Sequence, residues 1–320
     1  MVDHPSSDVV RPTQEENGAY QQFVLTQMTA LLGGTPQRPT TLWHYTSGEN
    51  LINIVRSGEL WSTQVSCLND QLELRYAQSL LLRALIDLRA ERQLSEDETF
   101  FVDLGIERLN EERTNTSEWF VACFSRRDDD LSQWRAYGLG EGGYSIGFSV
   151  DEMIVRGGPD QAYVAPVCYD VTRHEAAAKS VAAASLSFFI DGLTRRKEQR
   201  EAWAEAFLLA WGDAITYLAP VIKHPSFASE EEFRIVRRLR DEDFPNMTFR
   251  QKQTLMARHL PLKFSQRDGD SKLLPLTHVR VGPSRNRHVS RISVADLLRT
   301  YKYPLSSIQI LETTVPFQTV

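Results

Sequence analysis

Cysteine is scarce in this sequence. The chain of 320 residues has 3 cysteines, Cys67, Cys123 and Cys168, which lie far apart in apolar or strand-like surroundings. This spacing fits neither a zinc site nor a disulfide framework. We therefore predict buried, reduced thiols and a cytoplasmic protein.

Long apolar runs and a secretion signal are also lacking. No run approaches the roughly 20 apolar residues that cross a bilayer, and the first residues, MVDHPSSDVVRPTQEENG, are polar. We therefore expect no membrane contact. With 42% hydrophobic and 24% charged residues, the composition is that of a globular protein with a sizeable core.

Several catalytic signatures are missing. The sequence has no P-loop lysine motif, no H-E-x-x-H and no nucleophile elbow. Gly138, Gly140 and Gly143 satisfy G-x-G-x-x-G, but they lead into a predicted strand, whereas a dinucleotide fingerprint opens a helix. The 7 histidines form no metal-ligand cluster in sequence, so we predict no metal site. Acidic residues from separate segments stay open as metal ligands.

Strands and helices occur in blocks. The patterns predict helices over 20–34, 73–93, 95–113, 172–222 (with a break near 190–196) and 293–301, and strands over 117–125, 142–150, 161–171, 230–239, 276–282 and 306–315. Ser95 and Glu98 have the spacing of a capping box at the start of the helix over 95–113. This order favours α+β over a doubly wound fold. We predict an N-terminal tail and helix over residues 1–39. A single catalytic domain over 40–320 follows, with a central mixed or antiparallel sheet and helical insertions at about 70–115 and 172–222.

His44 and Tyr45 lie where a short apolar run gives way to a helix. Thr46 and Glu49 have the spacing of a capping box, and Gly58 suits the left-handed conformation at the helix end. Side chains at such a switch are held firmly and still reach a ligand, so His44 is a candidate site residue.

The next polar cluster is CLNDQLELRY, which contains Asn69, Asp70 and Glu73. One interpretation is helix capping, because Asn and Asp are good N-caps and acidic residues favour the first turn. The other is that these groups line the same cleft as His44.

A second cluster follows the strand that ends at Ser125. Asp130, Trp134 and Tyr137 come next at helical spacing. Trp134 and Tyr137 are either core residues or aromatic faces that stack on a flat ring such as adenine or nicotinamide.

The third cluster is the strand with Glu230, Glu232 and Arg234, which alternation places on one face. At an exposed edge these charges would only discourage aggregation. In a cleft, Glu232 would stabilise a cationic transition state, with Arg234 holding it ionised.

Basic residues concentrate in the C-terminal third. Residues 233–302 contain 16 Lys or Arg against 6 Asp or Glu, although the whole chain has a net charge of −6. This asymmetry indicates an anionic partner, such as a phosphate-bearing cofactor or nucleic acid. The alternative is that these charges pair locally.

Together these segments resemble a bacterial family of unknown function. The shared pattern comprises an HYT start, an LND segment with a following Glu, a CFS strand with later Asp, Trp and Tyr, and an F-x-x-E-x-E-aromatic-R strand. A hydrophobic-G-P turn follows. The matching residues, within roughly 40–318, are His44, Tyr45, Thr46, Leu68, Asn69, Asp70, Glu73, Cys123, Phe124, Ser125, Asp130, Trp134, Tyr137, Phe227, Glu230, Glu232, Phe233, Arg234, Gly282 and Pro283.

The layout is in turn similar to that of ADP-ribosyltransferases, which use NAD as substrate. The resemblance implies that His44 binds the nicotinamide ribose, that Thr46 shapes the turn, and that Glu232 binds the ribose 2′-hydroxyl and stabilises the oxocarbenium-like state. It also implies that Tyr137 or Trp134 stacks on nicotinamide and that Glu230 positions or deprotonates the acceptor. The segment CFSRRDDD departs from that superfamily because it lacks an S-T-S triplet.

The resemblance thus implies an ADP-ribosyltransferase that modifies a nucleic acid or a protein, with a toxin or anti-phage role. His44, Tyr45, Thr46, Asn69, Asp70, Ser125, Trp134, Tyr137 and Arg234 are the expected NAD-binding residues. This hypothesis requires His44 and Glu232 to share one cleft. The alternatives are a metal-dependent nuclease or phosphodiesterase using Asp70, Glu73, Glu230 and Glu232, and a noncatalytic nucleotide sensor.

Overall fold

The computed structural model describes residues 12–31, 39–68, 72–91, 93–110, 119–138, 142–156, 163–196, 199–252, 255–264 and 273–316. The chain divides into two compact units, each built from three segments. We call them the helical unit (Met1–Thr35, Asp70–Glu118 and Cys168–Pro225) and the sheet unit (Pro36–Asn69, Trp119–Val167 and Ser226–Val320). Helices and strands are numbered in chain order across both.

The sheet unit contains a sheet of 10 strands within the described residues. The strands are β1 (Thr41–Thr46), β2 (Glu59–Gln64), β3 (Trp119–Ser125), β4 (Tyr144–Ser149), β5 (Tyr163–Pro166), β6 (Glu232–Arg238), β7 (Thr248–Lys252), β8 (Leu255–Lys263), β9 (Leu276–Val281) and β10 (Gln309–Glu312). All strand pairs are antiparallel except β9 with β10, which is parallel. The predicted α+β class with a mixed central sheet is therefore confirmed.

The sheet forks at β3. One edge of β3 pairs with β6 along its whole length, from Trp119 to Ser125. The other edge pairs with β2 at Phe120 and Val121 and with β1 only at Ser125. One arm then runs β1-β4-β9-β10 and the other β2-β8-β7. A split therefore opens beside residues 122–124, where neither arm pairs with β3.

The helices of the sheet unit are α2 (Gly48–Ser57), α5 (Leu131–Tyr137), α6 (Val150–Arg156) and α9 (Arg287–Thr300). Leu51, Ile54 and Val55 of α2 pack into the main core with apolar residues of the sheet. The predicted capping box at Thr46 is wrong: the N-cap is Ser47, whose hydroxyl accepts from the Asn50 amide, because Thr46 still belongs to β1. Gly58 ends the helix with φ of 65°, as predicted.

The helical unit contains α1 (Gln14–Leu31), α3 (Leu72–Glu91), α4 (Glu96–Asn110), α7 (Val171–Arg195) and α8 (Arg200–Leu218). The predicted capping box of α4 is confirmed by reciprocal hydrogen bonds between Ser95 and Glu98. Aromatic rings form the core, among them Phe101 stacked on Phe189 at 4.8 Å. Trp203 packs against Gly192, where an added Cβ would overlap the indole, so only glycine allows this approach of α8 to α7.

One described helix, α7, is long and apolar enough to cross a membrane by length and composition. Half of its apolar window is buried against neighbouring parts of the protein, and the core helix of a soluble protein passes the same test. We expected no apolar run long enough to cross a bilayer, and α7 is an exception to that expectation by length and composition.

The predicted division of the chain, with a tail and helix over 1–39 and one domain over 40–320, stays a prediction. Both proposed insertions contain helices, and these helices share the helical unit with α1. The strand over 230–239 is shorter than predicted and begins at Glu232.

Candidate active site

Two adjoining cavities lie at the fork of the sheet. The smaller, of about 40 Å³, is bordered by His44 of β1, Ser125 of β3 and Glu232 of β6. The larger is an open cleft of about 590 Å³, a volume typical of small-molecule sites. His44, Tyr45 and Tyr137 line both cavities. Residues that are distant in the chain thus border two neighbouring cavities.

His44 projects into the split beside β3. Strand alternation would give His44 the same face as Phe124, opposite Ser125 and Glu232, but β1 and β3 separate here. The imidazole Nδ1 lies 2.9 Å from the carbonyl oxygen of Cys123. Since a carbonyl only accepts, Nδ1 carries the proton, and Nε2 of the neutral ring is an acceptor.

The protonation state of His44 follows from its surroundings. Burial lowers the pKa of His44 below its ordinary value of 6.5, and the hydrogen bond to the Cys123 carbonyl opposes this only in part. Among the described residues, Nε2 has no hydrogen-bond partner. His44 therefore offers a neutral acceptor at neutral pH.

Glu232 lies at the first position of β6 in a bidentate ion pair with Arg234. Nε of Arg234 donates to Oε1 at 2.8 Å and Nη2 donates to Oε2 at 3.0 Å. The exposed fractions are 6% for Glu232 and 1% for Arg234. A carboxylate has about four acceptor sites, two on each oxygen, and the pair with Arg234 uses one on each oxygen. Arg234 does not line either cavity; it acts through Glu232.

Glu230 does not share a strand face with Glu232, so that part of our prediction is wrong. Residues Pro225–Glu230 form a 3-10 turn, and Glu231 has φ of 43°, in the left-handed region. The turn breaks the alternation before the strand begins. Glu230 is nevertheless partly exposed and borders the smaller cavity.

Ser125 ties this turn to β3. Its hydroxyl donates to the carbonyl of Glu230 at 2.7 Å and accepts from the amide of Arg127 at 3.0 Å. Arg127 in turn pairs with the carboxylate of Glu231 at 2.8 Å. The hydroxyl of Ser125 is thus engaged in positioning the segment that carries Glu230 and Glu232.

Trp134 and Tyr137 differ in their surroundings. Trp134 is buried, packs edge-on against Tyr45 at 4.7 Å between ring centres, and donates from Nε1 to Asp129 at 2.9 Å. Its contacts are those of a core residue. Tyr137, in contrast, is 36% exposed and lines both cavities. Of these two predicted stacking residues, Tyr137 is the one that borders the cavities.

Tyr45 and the run of three aspartates form a support behind the cavity. The hydroxyl of Tyr45 donates to the carbonyl of Arg127 at 2.9 Å and accepts from the amide of Asp130 at 3.0 Å. Asp130 is the N-cap of α5. Burial alone would raise the pKa of Asp129, but hydrogen bonds from Thr313, Thr314 and Trp134 lower it. Asp129 and Asp130 of the RRDDD segment thus have structural roles, as a hydrogen-bond acceptor and as a helix N-cap.

The LND segment falls partly outside the described residues. Asn69 and Asp70 lie there, and the structure describes Glu73 only as part of the backbone of α3. Thr46 is buried and lines the larger cleft. No group of three or more His, Cys, Asp or Glu suited to a metal occurs among the residues that the structure describes.

The structure also brings in residues that our sequence reasoning missed. Trp61 of β2, Arg250 of β7 and His259 of β8 line the larger cleft. The register β2-β8-β7 places them on one face of this arm. Asn50 of α2 joins them through its side chain, 2.9 Å from Nη1 of Arg250.

Many charges of the basic C-terminal third are paired locally. These ion pairs are Arg234 with Glu232, Arg237 with Asp243, Arg240 with Glu242, Arg280 with Asp128, Arg291 with Glu312 and Arg299 with Asp296. The alternative of local pairing therefore holds for these residues. A nucleic acid or other anionic partner stays a prediction.

Residues 133–235 match the model of a family described as "Protein of unknown function (DUF2971)". This match confirms the predicted resemblance to an unknown-function family, and the matched segment includes Trp134, Tyr137, Glu230, Glu232 and Arg234. No curated protein and no solved structure is detectably similar to the chain.

Proposed function

We propose that this protein is a NAD-dependent ADP-ribosyltransferase. The observation that carries the proposal is the fork, where His44, Glu230 and Glu232 border one small cavity that adjoins a cleft of about 590 Å³. A dinucleotide needs such a cleft, and the reacting sugar needs the convergent polar groups. An α+β fold with a central mixed or antiparallel sheet is what we expect of such a transferase.

The proposed reaction breaks the bond between C1′ of the ribose and the ring nitrogen of nicotinamide. The electron pair leaves with nicotinamide, whose ring becomes neutral, and positive charge develops at C1′ and the ring oxygen of the sugar. Glu232 would accept a hydrogen bond from the 2′-hydroxyl and stabilise this charge. Because Arg234 and the strand hold the carboxylate in place, little reorganisation is needed as the charge develops.

The other residues have distinct proposed roles. His44 would accept a hydrogen bond from a ribose hydroxyl through Nε2, and Tyr137 would stack on nicotinamide. The nucleophilic atom of the acceptor, on a nucleic acid or a protein, forms the new bond to C1′, and Glu230 takes its proton. A toxin or anti-phage role in the cytoplasm is consistent with this activity.

The first test is nicotinamide release from NAD, measured with cell extract and with nucleic acid. We expect Glu232→Gln to lower the rate at least about 100-fold, because removing one preorganised electrostatic contact typically costs that much. The exposed Glu201 offers the matched control, and Glu201→Gln should leave the rate unchanged. Label on a macromolecule would identify a transferase, whereas free ADP-ribose alone would identify a hydrolase.

Loss of the buried ion pair can also destabilise the fold by about 3 to 5 kcal/mol. Circular dichroism and the melting temperature of Glu232→Gln therefore accompany the assay. Glu230→Gln is the second variant, since Glu230 is partly exposed and its loss should slow transfer without unfolding the sheet. A folded wild type that releases no nicotinamide, or activity that disappears with a metal chelator, would contradict the proposal.

A further inference from the structure

The cleft contains a cation on β7 that no described carboxylate neutralises. Arg250 contacts Asn50 and the face of Trp61, and no carboxylate pairs with its guanidinium among the residues that the structure describes. The other described arginines of residues 234–250 all have carboxylate partners or lie outside the cleft. A guanidinium that lies in a cleft and has no carboxylate partner is suited to bind phosphate in a bidentate manner.

Aromatic surface lies directly beside this cation. The guanidinium carbon of Arg250 is 4.4 Å from the centre of the Trp61 ring, and the ring of His259 is 5.6 Å from it. The Thr63 hydroxyl lies 3.1 Å from Nδ1 of His259. Trp61, His259 and Arg250 are each partly exposed and share one face of β2, β8 and β7. An aromatic and an anion-binding group at one end of a cleft suit a base joined to phosphates.

Two further features fit the same ligand. Asn50 lies in the first turn of α2, a ten-residue helix whose N-terminal end favours negative charge. Glu59 is the one carboxylate among the described residues that line the cleft, and a carboxylate suits the hydroxyls of a ribose.

We propose that Trp61, Arg250, His259 and Asn50 form a subsite for a nucleoside diphosphate. Arg250 binds the diphosphate and Trp61 stacks on the base. This inference rests on the proposed function for one point, which is that the nucleoside diphosphate is the ADP half of NAD, with the nicotinamide ribose directed towards His44 and Glu232.

The test is equilibrium binding of ADP, followed by isothermal titration calorimetry on the full chain. We expect saturable binding to the wild type and at least about tenfold weaker binding to Arg250→Gln, since a bidentate charged contact contributes more than about 1.4 kcal/mol. Arg285 is exposed on the same unit, so Arg285→Gln is the matched control and should bind ADP like the wild type.

Adenosine and pyrophosphate separate the two roles. Trp61→Leu should weaken adenosine binding and Trp61→Phe should restore it, while Arg250→Gln should weaken pyrophosphate binding alone. No ADP binding to the folded wild type, or equal effects of Arg250→Gln and Arg285→Gln, would overturn the subsite. ADP binding without nicotinamide release would contradict the proposed transferase activity but support the subsite. Nicotinamide release without ADP binding would support the transferase activity but contradict the subsite.

Discussion

At the scale of single residues, the side chains of the candidate site are held in one orientation by hydrogen bonds to their neighbours. His44 has Nδ1 fixed by the Cys123 carbonyl, and Glu232 has both oxygens fixed by Arg234. The hydroxyl of Ser125 donates to the backbone carbonyl of Glu230, and the hydroxyl of Tyr45 donates to that of Arg127. These contacts within the protein therefore hold the candidate site residues in place.

Gly282 illustrates how closely this support is packed. A Cβ at Gly282 would lie 2.8 Å from the indole of Trp134 and 2.9 Å from the carbonyl oxygen of Gly143. We expect Gly282→Ala to destabilise the protein by about 1 to 3 kcal/mol, because the core must shift to admit the methyl group.

Thermal unfolding provides the measurement for Gly282→Ala. Gly18 supplies the control, since it lies within α1 with no atom within 4 Å of an added Cβ. Gly18→Ala should leave the melting temperature unchanged or raise it, because alanine favours a helix by up to about 1 kcal/mol. Equal melting temperatures for the two variants would contradict the packing argument.

At the scale of elements, an ion-pair cluster fastens α1 to α7 within the helical unit. The carboxylate of Glu16 accepts from Arg196 at 2.8 Å and from Arg195 at 2.8 Å. These contacts lower the pKa of Glu16 from 4.5 to about 2, and the hydrogen bond with Arg196 contributes most to this shift. Glu16 thus stabilises the attachment of α1 as an ionised group.

The sign of the pH effect follows from this lowered pKa. The stabilisation by Glu16 is complete above pH 4.5 and is lost as the pH falls towards 2, since the unfolded chain then binds the proton more readily. We expect Glu16→Gln to cost about 1 to 3 kcal/mol at pH 7. The difference in melting temperature from the wild type should shrink between pH 5 and about pH 3. Glu15→Gln, at the exposed neighbouring position, should show no such difference.

Element prediction succeeded where the pattern was local. Alternating apolar residues identified β3, β4 and β9, and the Ser95 and Glu98 pair identified the start of α4. The strands β2, β7 and β8 were not predicted. β8 contains Pro261, which is unusual within a strand, and β7 has the sequence TFRQK, which lacks an alternation of apolar residues. These strands form one arm of the fork. We therefore had no reason from the sequence to include their residues Trp61, Arg250 and His259 in the candidate site.

The candidate residues could be chosen from the sequence, but their arrangement in space could not. His44, Glu230 and Glu232 were chosen because polar side chains occur there within or beside apolar segments. The split itself depends on β3 pairing with two strands that are separated from it by more than 50 residues, and such pairing leaves no local signal. The same limit explains why Trp134, a core residue, and Tyr137 were equal candidates.

At the scale of the whole molecule, both units contain histidines with a lowered pKa. His44 and His278 belong to the sheet unit and His174 to the helical unit, where Nε2 of His174 lies 2.9 Å from the Cys168 carbonyl and Nδ1 lies 3.0 Å from the Tyr76 hydroxyl. Burial lowers the pKa of all three. Each pKa is ordinarily 6.5, so the unfolded chain binds these protons first as the pH falls.

Stability should therefore be complete above pH 7 and decline as the pH falls through 6.5 towards 5. Melting temperatures across this range check the prediction. His174→Gln should reduce the slope, whereas the exposed His288→Gln should not change it. A melting temperature that stays constant from pH 8 to pH 5 would contradict the role of these histidines.

The position of β7 at the end of the sheet has a consequence for solubility. Its outer edge has no strand partner among the described residues, and Phe249 and Met256 on this hairpin are 56% and 65% exposed. Such an edge invites a second chain to extend the sheet, and natural edges resist this by shortness and by charge. β7 has only five residues, and Arg250 interrupts it with a cation. We therefore expect the arginine that we assign to phosphate to oppose edge-to-edge pairing of two copies as well.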